Sequence, residues 1–285
     1  MMRDDVDFRS VLAMPTIPFG DHRLSRLVLG ANPINGGSHL SRFVDRQMKA
    51  YYDDARILAT LDACWREGIN AWQSGPLNLS LYETYRKQGG TLHYVSLGSE
   101  RDGGDVVARV GRAGATAIAH HGEVTDVMFR EGRLCDMVPF LQNVRDAGLM
   151  VGVSTHIPDV VDAVESAGWP VDFYMTCVYE RHRTRQQLQA LLGHVPVRVG
   201  EVYLEDDPPR MFRAMRQTDK PCLAFKILAA GRLCERQEMV EAAFRKTFAQ
   251  IKPNDAVIVG MYPLYEDQIR LDADYVRRFS SLSGE

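Results

Sequence analysis

The chain has 285 residues, 45% of them hydrophobic and 25% charged, so it is long enough to bury one large core. A formal net charge of −3 excludes the strongly basic balance typical of nucleic-acid or anionic-membrane binding. The five cysteines are scattered without a CxxC pair, and no apolar run reaches the roughly 18 residues of a membrane span. We therefore expect a cytoplasmic protein in a reducing compartment, without nucleic-acid or membrane partners.

The predicted elements begin with a short strand from Met14, a Gly-Asp turn at 20–21 and a longer strand that ends at Gly30. Strand-like runs then alternate with helical periodicity along the rest of the chain. The eight strand-like runs are 27–31, 69–73, 92–97, 115–120, 149–154, 171–178, 222–227 and 256–260. The helical patterns are 54–67, 79–87, 105–114, 134–147, 158–167, 208–217, 235–251 and 266–279.

Eight strands that alternate with helices predict a (β/α)8 TIM barrel, because a doubly wound open sheet usually has fewer strands. We expect a single domain over residues 1–285. Two long connections, 32–52 after the first strand and 184–204 after the sixth, are predicted on the face where barrel enzymes place their active sites.

Polar side chains follow several predicted strands at their carboxyl ends. Because strand residues alternate faces, we predict that His121 and His156 face the barrel interior and that His120 faces the helices. The inward residues of the other strands are then Asn32, Gln73, Glu100, Lys226 and Gly260. For the third and seventh strands this assumes that the large aliphatic and aromatic residues face the helices, namely Val95, Leu97, Leu223, Phe225 and Ile227.

Two kinds of chemistry fit this cluster. His121 and His156 with Glu123, or with Glu100 or Glu201 as the carboxylate, form the mixed N/O set that suits Zn, Mn or Fe. Without a metal, the same histidines would bind substrate or act as acid/base groups. Lys226 would be a proton shuttle or Schiff-base lysine, or the ion-pair partner of an interior carboxylate. The predicted catalytic residues are His121, His156, Lys226 and Glu100.

Residues of the surrounding loops are predicted to hold the substrate or cofactor. The segments after the seventh and eighth strands occupy the place where many barrels bind phosphate through backbone amides, although a glycine there also serves as a simple turn. The predicted binding residues are Asn32, Gln73, His39, Tyr179, Glu201, Gly231, Arg232 and Gly260.

Four stretches resemble the aldo/keto reductase-like barrel superfamily. They are the strand-turn-strand ending in Leu24-Ser-Arg-Leu-Val-Leu-Gly30, Glu67-Gly-Ile-Asn-Ala-Trp-Gln-Ser74, Ala224-Phe-Lys-Ile-Leu-Ala-Ala-Gly-Arg-Leu233, and Ala256-Val-Ile-Val-Gly-Met261 with Gln268. The resemblance covers nearly the full chain and implies a barrel whose bottom is plugged by the N-terminal hairpin. It also implies NADP, held near residues 226–231 and 260, as an alternative to a metal.

The resemblance fails at the catalytic residues. The reductases use Asp, Tyr, Lys and His. Carried over by position, the Asp falls on Gln73, the Tyr near Asn78, and the Lys near 96–100, where there is no lysine, so only the His has a counterpart, His121. Because the tyrosine whose pKa the lysine lowers is the general acid, ordinary carbonyl reduction is disfavoured.

We therefore predict a barrel enzyme that acts on a small polyhydroxylated or carbonyl compound, such as a sugar derivative. Its chemistry would be metal-assisted or acid/base catalysis of the isomerase, lyase or hydrolase kind. The alternatives are an NAD(P)-dependent oxidoreductase of the aldo/keto reductase type and a non-catalytic barrel that serves as a binding protein.

Overall fold

The computed structural model describes residues 13–197 and 201–282. An antiparallel hairpin, β1 (Thr16–Phe19) and β2 (His22–Ser25), precedes eight parallel strands that form a closed barrel. These are β3 (Leu27–Gly30), β4 (Ala71–Ser74), β5 (His93–Gly98), β6 (Ala117–His120), β7 (Met150–Thr155), β8 (Phe173–Cys177), β9 (Cys222–Phe225) and β10 (Ala256–Gly260). β10 pairs with β3 and closes the barrel, which confirms the predicted fold.

Helices follow the strands around the outside of the barrel. They are α1 (Arg42–Tyr51), α2 (Asp54–Arg66), α3 (Leu79–Lys87), α4 (Val106–Arg112), α5 (Gly122–Arg130), α6 (Val138–Asp146), α7 (Pro158–Ala167), α8 (Arg185–Leu192), α9 (Asp207–Arg216), α10 (Gln237–Phe248) and α11 (Gln268–Phe279). None of these helices in the described ranges combines the length and apolar character that a membrane crossing requires.

The two long connections are present after β3 and β8, and each contains a helix, α1 and α8. Residues 198–200 of the second connection, and residues 1–12 and 283–285 of the predicted single domain, lie outside the described residues.

The helices α1 and α5 were not predicted from the sequence. α1 is mostly polar and has no fully buried residue, and α5 begins within the polar residues that follow β6.

The N-terminal hairpin fills the bottom of the barrel, as expected. Ile17, Phe19 and Leu24 are buried in the same apolar cluster as the inward side chains of the barrel strands. The ring of Phe19 meets that of Phe173 edge-on, with centroids 4.9 Å apart. The hairpin therefore seals the end of the barrel opposite to the strand carboxyl ends.

The alternation rule assigned the faces of β5 and β9 wrongly. Val95 of β5 and Leu223 of β9 belong to the interior cluster, and Leu97 packs against it, whereas Cys222 lies among the helix-facing residues. The interior is a packed core, and small residues such as Ala117 on β6 leave volume that large aliphatic side chains fill. For β4, β6, β7 and β10 the predicted faces are correct.

Gly152 of β7 shows how tightly this interior is packed. A Cβ atom added there would lie 2.3 Å from the ring of Phe173. We expect Gly152→Ala to lower the free energy of unfolding by about 1–3 kcal/mol, measured by urea denaturation, because overpacking forces the core apart. Gly104→Ala, where nothing lies within 4 Å, is the control. Equal stability of the two variants would contradict this account.

Candidate functional site

Three titratable side chains form a hydrogen-bonded chain across the carboxyl end of the barrel. Nζ of Lys226 lies 3.0 Å from Nε2 of His39, and Nδ1 of His39 lies 3.2 Å from Oε1 of Glu201. The amide nitrogen of Asn32 also lies 3.2 Å from Nε2 of His39. We assign the tautomer from this network: Nδ1–H donates to the carboxylate, and Nε2 accepts from Lys226 and Asn32. The imidazole thereby links the carboxylate to the lysine.

The backbone is strained at two of the residues in this series of hydrogen bonds, His39 and Lys226. Within the described residues, the non-glycine residues with positive φ are His39 (57°), Lys226 (61°), Ala229 (49°) and Ala230 (52°). Such conformations are costly for L-residues and tend to be retained at functional sites. β9 ends at Phe225, and the left-handed backbone at Lys226 breaks the strand alternation. Lys226 therefore reaches the site although the predicted faces of β9 were wrong.

The environment of Lys226 favours its neutral amine. Burial lowers the pKa of Lys226 below its ordinary value of 10.5, and the positive charge of Arg181 acts in the same direction. The negative charges of Glu201 and Glu123 oppose the shift only in part. A larger fraction of Lys226 is therefore able to accept a proton near neutral pH than of an exposed lysine.

Glu201 is held as a carboxylate. Burial alone would raise its pKa, but the hydrogen bond with His39 and the charge of Arg181 hold the pKa of Glu201 well below its usual range. The guanidinium of Arg181 donates to both Glu201 and Glu123, and the Tyr203 hydroxyl donates to Glu201 at 2.8 Å. Glu201 thus supplies a fixed negative charge that orients His39.

Arg232 joins the two long connections over the site. Its guanidinium donates to the backbone oxygens of His39 and Glu201, at 3.2 and 3.3 Å, and lies 4.1 Å from the ring centroid of Tyr203. The ring of Tyr179 packs 5.1 Å from that of Tyr203. Through these contacts Arg232 and Tyr179 hold the loops of the site in position. That they also contact a ligand stays a prediction.

A cavity of about 290 Å³ opens beside the hydrogen-bonded side chains of Lys226 and His39. It lies between the ends of β3, β9 and β10 and the inner face of α1. Its volume lies near the lower end of the range for ligand pockets, roughly 300–1,000 Å³, so it suits a small molecule. Gly260 is required in its wall, because an added Cβ would lie 2.5 Å from Pro33. Six of the predicted residues line it: Asn32, His39, Gln73, Lys226, Gly231 and Gly260.

A second polar cluster lies at the ends of β6, β7 and β8. Nδ1 of His156 lies 2.7 Å from Oδ2 of Asp126, and the Thr155 hydroxyl donates to Oδ1 of Asp126 at 2.6 Å. The His156 ring meets the rings of His182 and Phe225 edge-on, with centroids 5.0 and 5.5 Å apart. Because Phe225 also lines the cavity, the second cluster lies directly behind the cavity wall.

His156 is uncharged near neutral pH in this setting. Burial lowers the pKa of His156 to about 4, although the hydrogen bond and charge of Asp126 oppose the shift. A neutral imidazole can accept a proton or ligate a metal ion.

The structure changes the predicted metal-ligand set. In the described part of the chain, the group of three or more residues whose ligating atoms lie close together is Asp126, His156 and His182. His156 was predicted, but His121 and Glu123 are not in this group. His121 lies just beyond β6 as the cap of α5, where its Nδ1 accepts a hydrogen bond from the backbone N–H of Glu123 at 3.3 Å. Strand alternation therefore does not set its orientation.

The predicted inward position of Glu100 is wrong. Its carboxylate lies 3.2 Å from Nε2 of His120, whose buried ring packs against Phe140 of α6 on the helix side of the barrel. Glu100 belongs to a 3-10 turn after β5, so strand alternation does not reach it. It is not the interior partner of Lys226.

Sequence reasoning missed three residues of the site. Asp126 lies on helix α5, which was not predicted, and nothing in the neighbouring sequence distinguishes it from an ordinary acidic surface residue. Arg181 and His182 belong to the run Arg181-His-Arg183, which begins four residues after the end of β8 at Cys177. That run of basic residues at a strand end is the signal that could have identified them.

No protein family model and no curated protein sequence matches the chain. Several solved structures are similar in fold. A truncated 3-deoxy-D-arabino-heptulosonate 7-phosphate synthase from Thermotoga maritima has 12% identity and a TM-score of 0.53, over 96% of each chain. A putative 2,5-diketo-D-gluconic acid reductase B has 11% identity and a TM-score of 0.54, over 97% of this chain and 93% of that chain.

A third structure, N-acetylneuraminic acid synthetase from Leptospira borgpetersenii serovar Hardjo-bovis, has 10% identity and a TM-score of 0.52, over 95% of this chain and 91% of that chain. At these identities the likeness shows the barrel fold alone. The similar structures include synthases as well as a reductase, so the fold does not select between their chemistries.

Proposed function

We propose that the protein is an enzyme that transfers a proton next to the carbonyl group of a small polyhydroxylated compound, such as a sugar derivative. Lys226 is the acid/base group. The observation that carries the proposal is that Lys226 lines the cavity, is desolvated, and has its Nζ 3.0 Å from an imidazole that Glu201 orients. A lysine with a lowered pKa is a suitable proton acceptor near neutral pH.

The reaction step follows from this arrangement. The neutral amine of Lys226 removes a proton from the carbon next to the carbonyl, and the electron pair of that C–H bond moves to give an enolate. The amides of Asn32 and Gln73 line the cavity and supply hydrogen-bond donors for the oxygen that becomes negative. Return of the proton to a neighbouring atom gives an isomerase, and loss of a leaving group from the enolate gives a lyase.

The substrate class is supported by the size and lining of the cavity. About 290 Å³ fits a compound of monosaccharide size, and the lining mixes apolar side chains with a few amide and basic groups. The similar solved structures include enzymes named for sugar acids or their phosphates. That agreement supports the proposal at the level of compound class.

Deuterium exchange tests the proposal without knowledge of the natural substrate. The protein is incubated in D₂O with a panel of aldoses, ketoses and keto sugar acids, and NMR follows deuterium at the carbon next to each carbonyl. We expect exchange above the buffer rate for at least one compound, lost in Lys226→Met and kept in the control Lys87→Met. No exchange in the whole panel contradicts the proposal, and binding without exchange favours a binding protein.

A nicotinamide-dependent oxidoreductase is the second candidate. The observation in its favour is that Lys226, Gly231 and Gly260, where the family resemblance places the cofactor, line one cavity. The cavity volume is small for a complete dinucleotide, and Lys226 and His39 are the basic side chains in its lining. Titration with NADPH, followed by nucleotide fluorescence, discriminates the two: saturable binding supports the oxidoreductase, and the proton-transfer proposal expects none.

A further inference from the structure

We propose that Asp126, His156 and His182 form a binding site for one divalent transition-metal ion. One ligating atom from each of the three residues lies within 4.8 Å of the other two. The side chains of Asp126 and His156 are buried, and that of His182 is 29% exposed. The group therefore has a closed inner side and an access route from the barrel mouth.

The chemistry of the three donors selects the kind of ion. Two imidazole nitrogens and one carboxylate oxygen form the mixed set that suits Zn²⁺, Mn²⁺ or Fe²⁺. The three residues come from α5, from the turn after β7 and from the connection after β8, three neighbouring positions at the carboxyl end of the barrel. Three protein ligands leave further coordination positions open, as in catalytic sites.

A buried nitrogen without a partner points independently to a ligand. Nε2 of His182 is buried and has no hydrogen-bond partner among residues 13–197 and 201–282. Oε1 of Glu123 lies 3.9 Å away, beyond hydrogen-bonding distance. Buried polar atoms are almost always satisfied, and an ion in the group would satisfy this one. Glu123 lies close enough to bind such an ion directly or through a water molecule.

The surroundings hold the carboxylate in place. Asp126 accepts hydrogen bonds from the Thr155 hydroxyl at 2.6 Å and from the backbone N–H of His156 at 3.2 Å. Such outer contacts orient metal ligands and are part of a metal site. Arg181 carries a positive charge nearby, but it is paired with Glu123 and Glu201, so the local charge does not exclude a cation.

The ion would lie behind Phe225, next to the proposed substrate cavity. There it could lower the pKa of a bound water molecule. Binding of the ion does not depend on proton transfer by Lys226. A binding measurement therefore tests this inference separately from the proposed function.

Metal titration of the full-length protein provides the test. The purified protein is treated with EDTA, dialysed, and titrated separately with Zn²⁺, Mn²⁺ and Co²⁺ by calorimetry, with visible absorption for Co²⁺. We expect saturable binding of one ion per chain for at least one metal, and a rise in melting temperature as the ion is added. His182→Ala should weaken binding by about 100-fold or more, since loss of even an outer-shell contact costs 10–100-fold.

The control is His194→Ala, which removes an exposed histidine outside the group and should leave the affinity unchanged. Asp126→Asn, with circular dichroism to confirm that each variant is folded, gives a second removal of a ligand. Lys226→Met should bind the ion as the wild type does. Absence of saturable binding by the wild type, or equal affinity in folded His182→Ala, would overturn the inference.

Discussion

The Lys226→Met variant is expected to catalyse deuterium exchange about 10²–10⁴-fold more slowly than the wild type, which is the usual contribution of a general acid/base group. We nevertheless expect it to unfold at a higher temperature than the wild type. Burial of the ammonium group costs free energy, which is why burial lowers the pKa of Lys226. Methionine has a similar length without the charge. Among the described residues Lys226 forms no ion pair with a carboxylate, so methionine removes the desolvation cost of the ammonium group without leaving a buried counter-charge, and we expect a gain of about 1–2 kcal/mol.

The stability difference between Lys226→Met and the wild type should depend on pH. The pKa of Lys226 is lower in the folded protein than the ordinary 10.5, so between the two values the unfolded state binds more protons. The stability of the wild type therefore rises with pH in that window. The advantage of Lys226→Met should be largest at neutral pH and should shrink as the pH approaches that ordinary value.

Urea unfolding at neutral and at alkaline pH measures this difference. Lys87→Met, which removes an exposed lysine at the end of α3, should change the free energy of unfolding by less than about 0.5 kcal/mol. Destabilisation by Lys226→Met at neutral pH would show that the lysine is a structural partner of His39 and Glu201. In that case the acid/base role would lose its main support.

Asp272→Asn is expected to stabilise the protein by about 2 kcal/mol at neutral pH. Asp272 lies on α11, only 5% exposed, and burial raises the pKa of its carboxyl group from 3.8 to about 8. No hydrogen bond or ion pair of its carboxylate is found in the described ranges. The shift corresponds to roughly 4 kcal/mol at pH 7, and the buried amide of asparagine would keep part of that desolvation cost.

The sign follows from proton linkage. Between pH 3.8 and about 8 the folded protein holds a proton on Asp272 that the unfolded chain has released. The stability of the wild type therefore falls as the pH rises through this window, and that slope should be smaller in Asp272→Asn. Urea unfolding over this pH range measures both effects. Asp62→Asn, at an exposed position of α2, is the control, and equal slopes in wild type and Asp272→Asn would contradict the assignment.

The periodicity of the sequence was sufficient to predict the barrel. Eight apolar runs, each close to an amphipathic helix, leave few ways to bury both faces of the strands, and a closed barrel does so completely. The runs at 149–154 and 256–260 coincide with β7 (Met150–Thr155) and β10 within one residue at each end. The helix α1 was missed because it is short and mostly polar, and its few apolar residues, such as Val44 and Met48, face the cavity rather than the core.

The candidate site was predicted less completely. Lys226, His39, Asn32, Gln73 and Glu201 do lie in one region, because the carboxyl ends of parallel strands and the loops after them meet there. His121 and Glu100 were placed by strand alternation, which ends where the strand ends. One residue beyond β6, the side chain of His121 is directed by helix capping instead.

The sequence by itself therefore determined the architecture and the end of the barrel at which polar groups collect, because both depend on local patterns repeated along the chain. Only the tertiary structure decided which groups meet. The left-handed backbone at Lys226 and His39 brings Nζ within 3.0 Å of an imidazole, and α5 brings Asp126 to His156. Such contacts join residues up to 187 positions apart, and their geometry depends on turns and packing that no local periodicity encodes.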